Sequence, residues 1–96
     1  MMRVEGTRLT VSGPATLATA ARLLEEARGP LAGGVTEVDL GEVTDVDSSL
    51  LAVIFAWMRE ASGHGRTLAL RRVPQDLASL ARLYGVAELL PQVPAR

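Results

Sequence analysis

Apolar and polar positions alternate at two periods along this chain, and the switches between them divide it into elements. Arg3-Val4-Glu5 and Arg8-Leu9-Thr10-Val11 alternate singly around Gly6-Thr7, which predicts a β-hairpin or two short strands. Ser12-Gly13-Pro14 is expected to end that run, with Thr16 capping the next element. Leu17, Ala20, Ala21, Leu24, Ala27 and Leu31 then recur at helical spacing, with Arg22, Glu25, Glu26 and Arg28 on the other side. This is an amphipathic helix, stopped at Gly29-Pro30 or at Gly33-Gly34.

Val35 to Leu40 alternates again and reads as an inner strand closed by Gly41. A second helix is predicted from Ser48 to Ser62, ended by Gly63-His64-Gly65. Thr67 to Arg71, with Leu68 and Leu70 on one face, gives another strand. Pro74 suits the first position of a third helix, Leu77, Leu80, Ala81 and Tyr84 its buried stripe, and Gly85 its end. Val86 to Val93, interrupted by Pro91, is expected to pack as a tail. The order β-β-α-β-α-β-α predicts an α/β protein with helices laid on a mixed sheet.

Ninety-six residues suit one domain, spanning 1–96, without a second core. The 48% hydrophobic and 22% charged residues belong to a globular chain. Ten basic residues against eleven acidic give a net charge of -1, without a basic stripe and with three aromatics, which argues against nucleic-acid binding. The absence of cysteine excludes disulfides, thiolate catalysis and cysteine-bound metal. The longest apolar run, Leu50 to Met58, is too short to span a bilayer, so a soluble cytoplasmic protein without direct membrane insertion is expected.

The groups available for catalysis are sparse, and no enzyme and no cofactor is expected. His64 stands between two glycines and reads as a solvated turn residue. Gly33-Gly34 and Gly63-His64-Gly65 both precede strands, unlike a phosphate-binding loop. Asp39, Glu42, Asp45 and Asp47 form an acidic stretch whose spacing does not fit a calcium loop; a solvated cluster is favoured over a metal site. Trp57 and Tyr84 fall at core spacing, as packing residues.

The second helix stands out. On a helical wheel Val53, Trp57, Leu50, Ala61, Ile54, Met58, Leu51 and Phe55 fill one arc of about 200°, twice the stripe that a core-facing helix requires. Either neighbouring helices cover all of it, or part is a docking face. Asp47, Ser48 or Ser49 caps its start.

The stretch "VDLGEVTDVDSSLLAVIFAWMREASGHGRTLALRRVP" resembles the STAS domain of bacterial anti-sigma factor antagonists. The segments "SGPATLATAARLLEEA" and "LARLYGVAELLP" resemble more closely the MlaB subfamily, the small STAS subunit of Mla phospholipid-transport ABC systems. The resemblance implies a four-stranded mixed sheet with three to four helices mainly on one face, and action through protein partners. It matches Asp47-Ser48-Ser49 to the motif holding the antagonists' switch serine, and Ser48 to the hydroxyl that contributes to docking on a transporter ATPase. The motif's usual glycine is Leu50 here. The expected partner-binding residues are Ser48, Ser49, Leu50, Val53 and Trp57, with Ser48 and Ser49 as candidate phosphorylation sites. The favoured partner is an ABC transporter ATPase, holding the chain peripherally at the inner membrane; the alternative is an anti-sigma factor kinase.

Overall fold

The computed structural model describes residues 1–93. Four strands run β1 (Met2–Glu5), β2 (Arg8–Ala15), β3 (Glu37–Val46) and β4 (Ala69–Arg71), with helices α1 (Ala20–Ala32), α2 (Ser49–Gly63) and α3 (Gln75–Leu83). Two short 3-10 turns, Leu17–Thr19 and Ala87–Leu89, precede α1 and follow α3. The sheet order is β1-β2-β3-β4. β1 and β2 form an antiparallel hairpin, while β2–β3 and β3–β4 pair in parallel. Gly6, at φ +62, occupies the first central position of the two-residue hairpin loop, where glycine is favoured.

One face of the sheet is apolar and the other charged, as single alternation requires. Leu9, Val11, Val38, Leu40 and Leu70 are buried towards the helices and meet Leu23, Ala27 and Leu31 of α1, Leu77 and Ala81 of α3, and most of α2. The opposite face carries ion pairs across the strands: Arg8 and Arg71 both reach Glu37, and Arg3 reaches Glu42. This is an α/β fold with a four-stranded mixed sheet and its helices on the apolar face.

Several expectations change. β2 continues through Ser12-Gly13-Pro14 to Ala15, with its register against β3 shifting between Thr10 and Ser12 and between Gly13 and Ala15. β3 continues past Gly41 to Val46, because its parallel pairing to β2 extends to Ala15–Val46. Pro30 lies inside α1, so of the two expected stops it is Gly33-Gly34 that ends the helix, with Gly33 as C-cap. The inward stripe of α1 is Leu23, Ala27 and Leu31, while Leu17 is 75% exposed and Leu24 lies at the surface. The preceding 3-10 turn changes the helical phase, so extrapolating one 3.6-residue period from Leu17 selects the wrong neighbours. The tail packs through Leu90 and joins the sheet: Leu70 N–H donates to the Pro91 carbonyl (2.7 Å), and Val93 N–H to the Leu70 carbonyl (2.7 Å).

The acidic stretch is divided among separate tasks. Asp39 is buried under Arg72, Glu42 pairs with Arg3, and Asp47 accepts backbone N–H groups. No group of three acidic or histidine side chains gathers to hold a metal among the described residues. His64 is an exposed turn residue whose Nε2 lies 3.2 Å from Glu60 Oε2.

Candidate functional site

The loop from β3 into α2 is organised by Asp47. Its Oδ1 accepts the Ser49 N–H (2.8 Å), satisfying a donor at the start of α2. Its Oδ2 accepts the Leu17 N–H (3.0 Å), tying the 3-10 turn before α1 to the start of α2. The Leu17 amide, followed by the Ser49 amide and hydroxyl, holds the Asp47 carboxyl below the usual carboxylate range. Asp47 therefore does the capping.

Ser48 stands at the formal N-cap position, but its side chain makes no capping hydrogen bond. Its backbone there is helical (φ -64, ψ -17), whereas a side-chain N-cap needs an extended residue. The residue is exposed, and its hydroxyl has no hydrogen bond among the described residues. Ser49 is half-buried and turned towards Asp47.

The wide apolar arc of α2 resolves mainly into core. Leu50 and Ile54 are fully buried, and Leu51, Val53, Trp57 and Ala61 are buried too. Trp57 Nε1–H donates to the Leu23 carbonyl on α1 (3.3 Å), which satisfies the indole where the ring is buried. Leu50, Val53 and Trp57 are thus corrected from surface contacts to core residues. α1 and the sheet cover that side of the helix.

The other margin of the arc is open. Ser48, before α2, and Leu51, Ala52 and Phe55 of that helix line a shallow groove of about 370 Å³ with Tyr84 and Val86, which follow α3. Tyr84 is 57% exposed, against its expected core position, because α3 ends at Leu83 and Gly85 (φ +71) turns the chain away. Leu17, fixed by Asp47, adds exposed apolar surface near Ser48. Of the groove's lining only Ser48 was in the expected site; Leu51, Ala52, Phe55, Tyr84 and Val86 were missing from it. The sequence signal for the α2 residues was the edge of the apolar arc at Leu51 and Phe55, not its centre; the arc carried none for Tyr84 and Val86.

A free hydroxyl at the rim of an apolar groove suits protein recognition: burial supplies affinity and the hydroxyl fixes register.

Known proteins share this fold. Residues 2–91 match the MlaB STAS-domain family, and the chain belongs to that family. No curated protein matches it in sequence. Among solved structures, it resembles a Thermotoga maritima protein described as an anti-sigma factor antagonist, with a TM-score of 0.75 at 15% identity over 99% of this chain and 86% of that one. It also resembles the anti-sigma factor antagonist SpoIIAA in its unphosphorylated form, with a TM-score of 0.67 at 12% identity over 100% of this chain and 88% of that one. At these identities the likeness is one of fold.

Proposed function

We propose that this chain is a non-catalytic accessory subunit that binds and supports the ATPase of a lipid-transport ABC system. The groove beside Ser48 is its docking surface. The observation that carries the reading is the uncommitted Ser48 hydroxyl beside Ala52, Phe55 and Tyr84. Membership of the MlaB family supports the choice of partner. No described helix is long and apolar enough to cross a membrane, so the chain would reach the bilayer through that partner.

Docking would support the ATPase by mass action: a subunit that binds one arrangement of the enzyme more tightly shifts its population towards that arrangement.

A second reading is an anti-sigma factor antagonist regulated by phosphorylation at Ser48 or Ser49. The exposed, unbonded Ser48 hydroxyl favours it, because a modifying enzyme needs such a group. Purification of the tagged chain from its native host separates the two. The first reading expects an ABC ATPase whose turnover falls when this subunit is removed, with Ser48 and Ser49 unmodified. Recovery of an anti-sigma kinase with phosphoserine would replace it by the second.

A further inference from the structure

The two margins of the sheet are finished differently. The β4 margin is occupied by the tail, which bridges Leu70 through Pro91 and Val93. The β1 margin has no strand beside it among the described residues. Met1 and Ser12 exchange both main-chain hydrogen bonds at 2.8 Å. In an antiparallel ladder bonded pairs alternate, so Arg3–Thr10 and Glu5–Arg8 are also bonded pairs, and the N–H and C=O groups of Met2 and Val4 point outwards. An open edge is a template for another strand.

We propose that the occupant of this edge is β1 of a second copy, paired antiparallel about a two-fold axis at Val4, so that two four-stranded sheets join into one. The charge pattern carries the choice. With Val4 opposite Val4, both outward-facing, the two residues exchange two hydrogen bonds, and Arg3 falls opposite Glu5 of the second copy while Glu5 falls opposite its Arg3. These flanking pairs are non-hydrogen-bonded ones, where facing side chains approach most closely. Sliding the strands to the neighbouring bonded registers sets Arg3 against Arg3 or Glu5 against Glu5. Opposite charges therefore select one register and penalise its neighbours.

The side chains agree. Arg3 and Glu5 are about half or more exposed (51% and 65%), and Arg3 approaches Glu42 and Glu5 of its own chain only at the surface. On the helix face, Met2 and Val4 border a cleft of about 460 Å³ whose far wall is Arg22, Glu26 and Pro30 of α1. A second copy along β1 would cover Val4, now 49% exposed. None of these residues lines the Ser48 groove. The paired strands are short, so the dimer is a weak one, in the class of small interfaces.

Sedimentation equilibrium of the purified chain, from about 1 to about 500 µM, tests it, with dimer expected in the upper part of that range. Arg3→Glu should weaken dimerisation about tenfold, and adding Glu5→Arg to the same chain should restore it. Val4→Pro should abolish it while leaving the circular dichroism unchanged, because the Val4 N–H is unused within one chain. A chain monomeric throughout that range overturns the proposal. So does a dimer that ignores Val4→Pro, or that stays lost in the double charge swap while the monomer remains folded.

Discussion

Arg72 holds Asp39 with two parallel hydrogen bonds, Nε to Oδ1 at 2.9 Å and Nη2 to Oδ2 at 3.0 Å, and the space for its guanidinium is left by Gly41. The Asp39 side chain is only 5% exposed, against 58% for Arg72, so the arginine closes over a carboxylate embedded in the sheet. The Gly41 N–H completes the set at 2.8 Å. Arg72 itself sits at φ +54, the one described non-glycine residue in the left-handed region. A bidentate charged pair on a buried oxygen offsets such backbone strain.

Gly41→Ala should therefore act through Asp39. The added methyl would fall on the Arg72 guanidinium, the far end of a flexible side chain, so Arg72 moves and the backbone stays. Asp39 is left buried with the position 41 amide alone, an under-satisfied carboxylate that costs about 1–3 kcal/mol. Urea denaturation reads the loss, and NMR titration should find the Asp39 carboxyl shifted upwards.

Acid should erode stability through the same sheet face. The Arg71 hydrogen bonds, joined by Arg8, hold the Glu37 carboxyl low. Burial pushes Asp39 up, but Arg72 and the Gly41 amide outweigh it and leave it below its ordinary value. With both folded values depressed, the unfolded chain binds more protons once pH falls towards the ordinary values of 4.5 for Glu and 3.8 for Asp. Their contribution is complete above that window and is lost as pH falls through the lower folded values. Urea midpoints from about pH 7 to about pH 2.5 should stay level and then drop, and Asp39→Asn should flatten the drop.

The hairpin, the two later strands and the three helices were legible because their apolar spacings are regular and their ends carry Gly or Pro. Strand lengths were not. Gly13, Pro14 and Gly41 read locally as stops, but pairing in a sheet's interior carries the chain through them. The site was half legible. Asp47-Ser48-Ser49 marked the place, yet which residue caps depends on backbone angles at Ser48 and on a hydrogen bond to Leu17, thirty residues away. The excess apolar width of α2 was also visible. Which margin stayed uncovered depended on how α1 and α3 pack, and a helical wheel carries no such information.

That distinction changes what mutations of α2 should do. Leu50→Ala removes a fully buried side chain and should cost about 2–5 kcal/mol. Val53→Glu should unfold the domain, since it buries an unpaired charge. Ala52→Glu, on the exposed margin, should leave the melting temperature within a few degrees of the parent and weaken partner binding about tenfold or more. Thermal melts beside a binding titration check all three; a stable Val53→Glu chain would contradict the core assignment.

The last prediction separates the adjacent polar residues at the start of α2. Ser48→Ala removes a hydroxyl with no capping bond and should leave the melting temperature unchanged. Asp47→Ala removes the acceptor for both the Ser49 and Leu17 amides, and should lower it by about 5 °C, the shift typical of a lost helix cap in a domain this size. Binding should follow the opposite order in its cause. Ser48→Glu sets a charge at the rim of the apolar groove, where a docked partner would desolvate it, so the complex should weaken well beyond the effect of Ser48→Ala while the fold holds. Asp47→Ala should weaken binding only as far as it loosens the loop, and Asp47→Asn, which keeps an acceptor oxygen, should recover much of the loss. Equal binding by Ser48→Glu and Ser48→Ala would remove this hydroxyl from the interface, and a large drop in melting temperature for Ser48→Ala would return it to the role of cap.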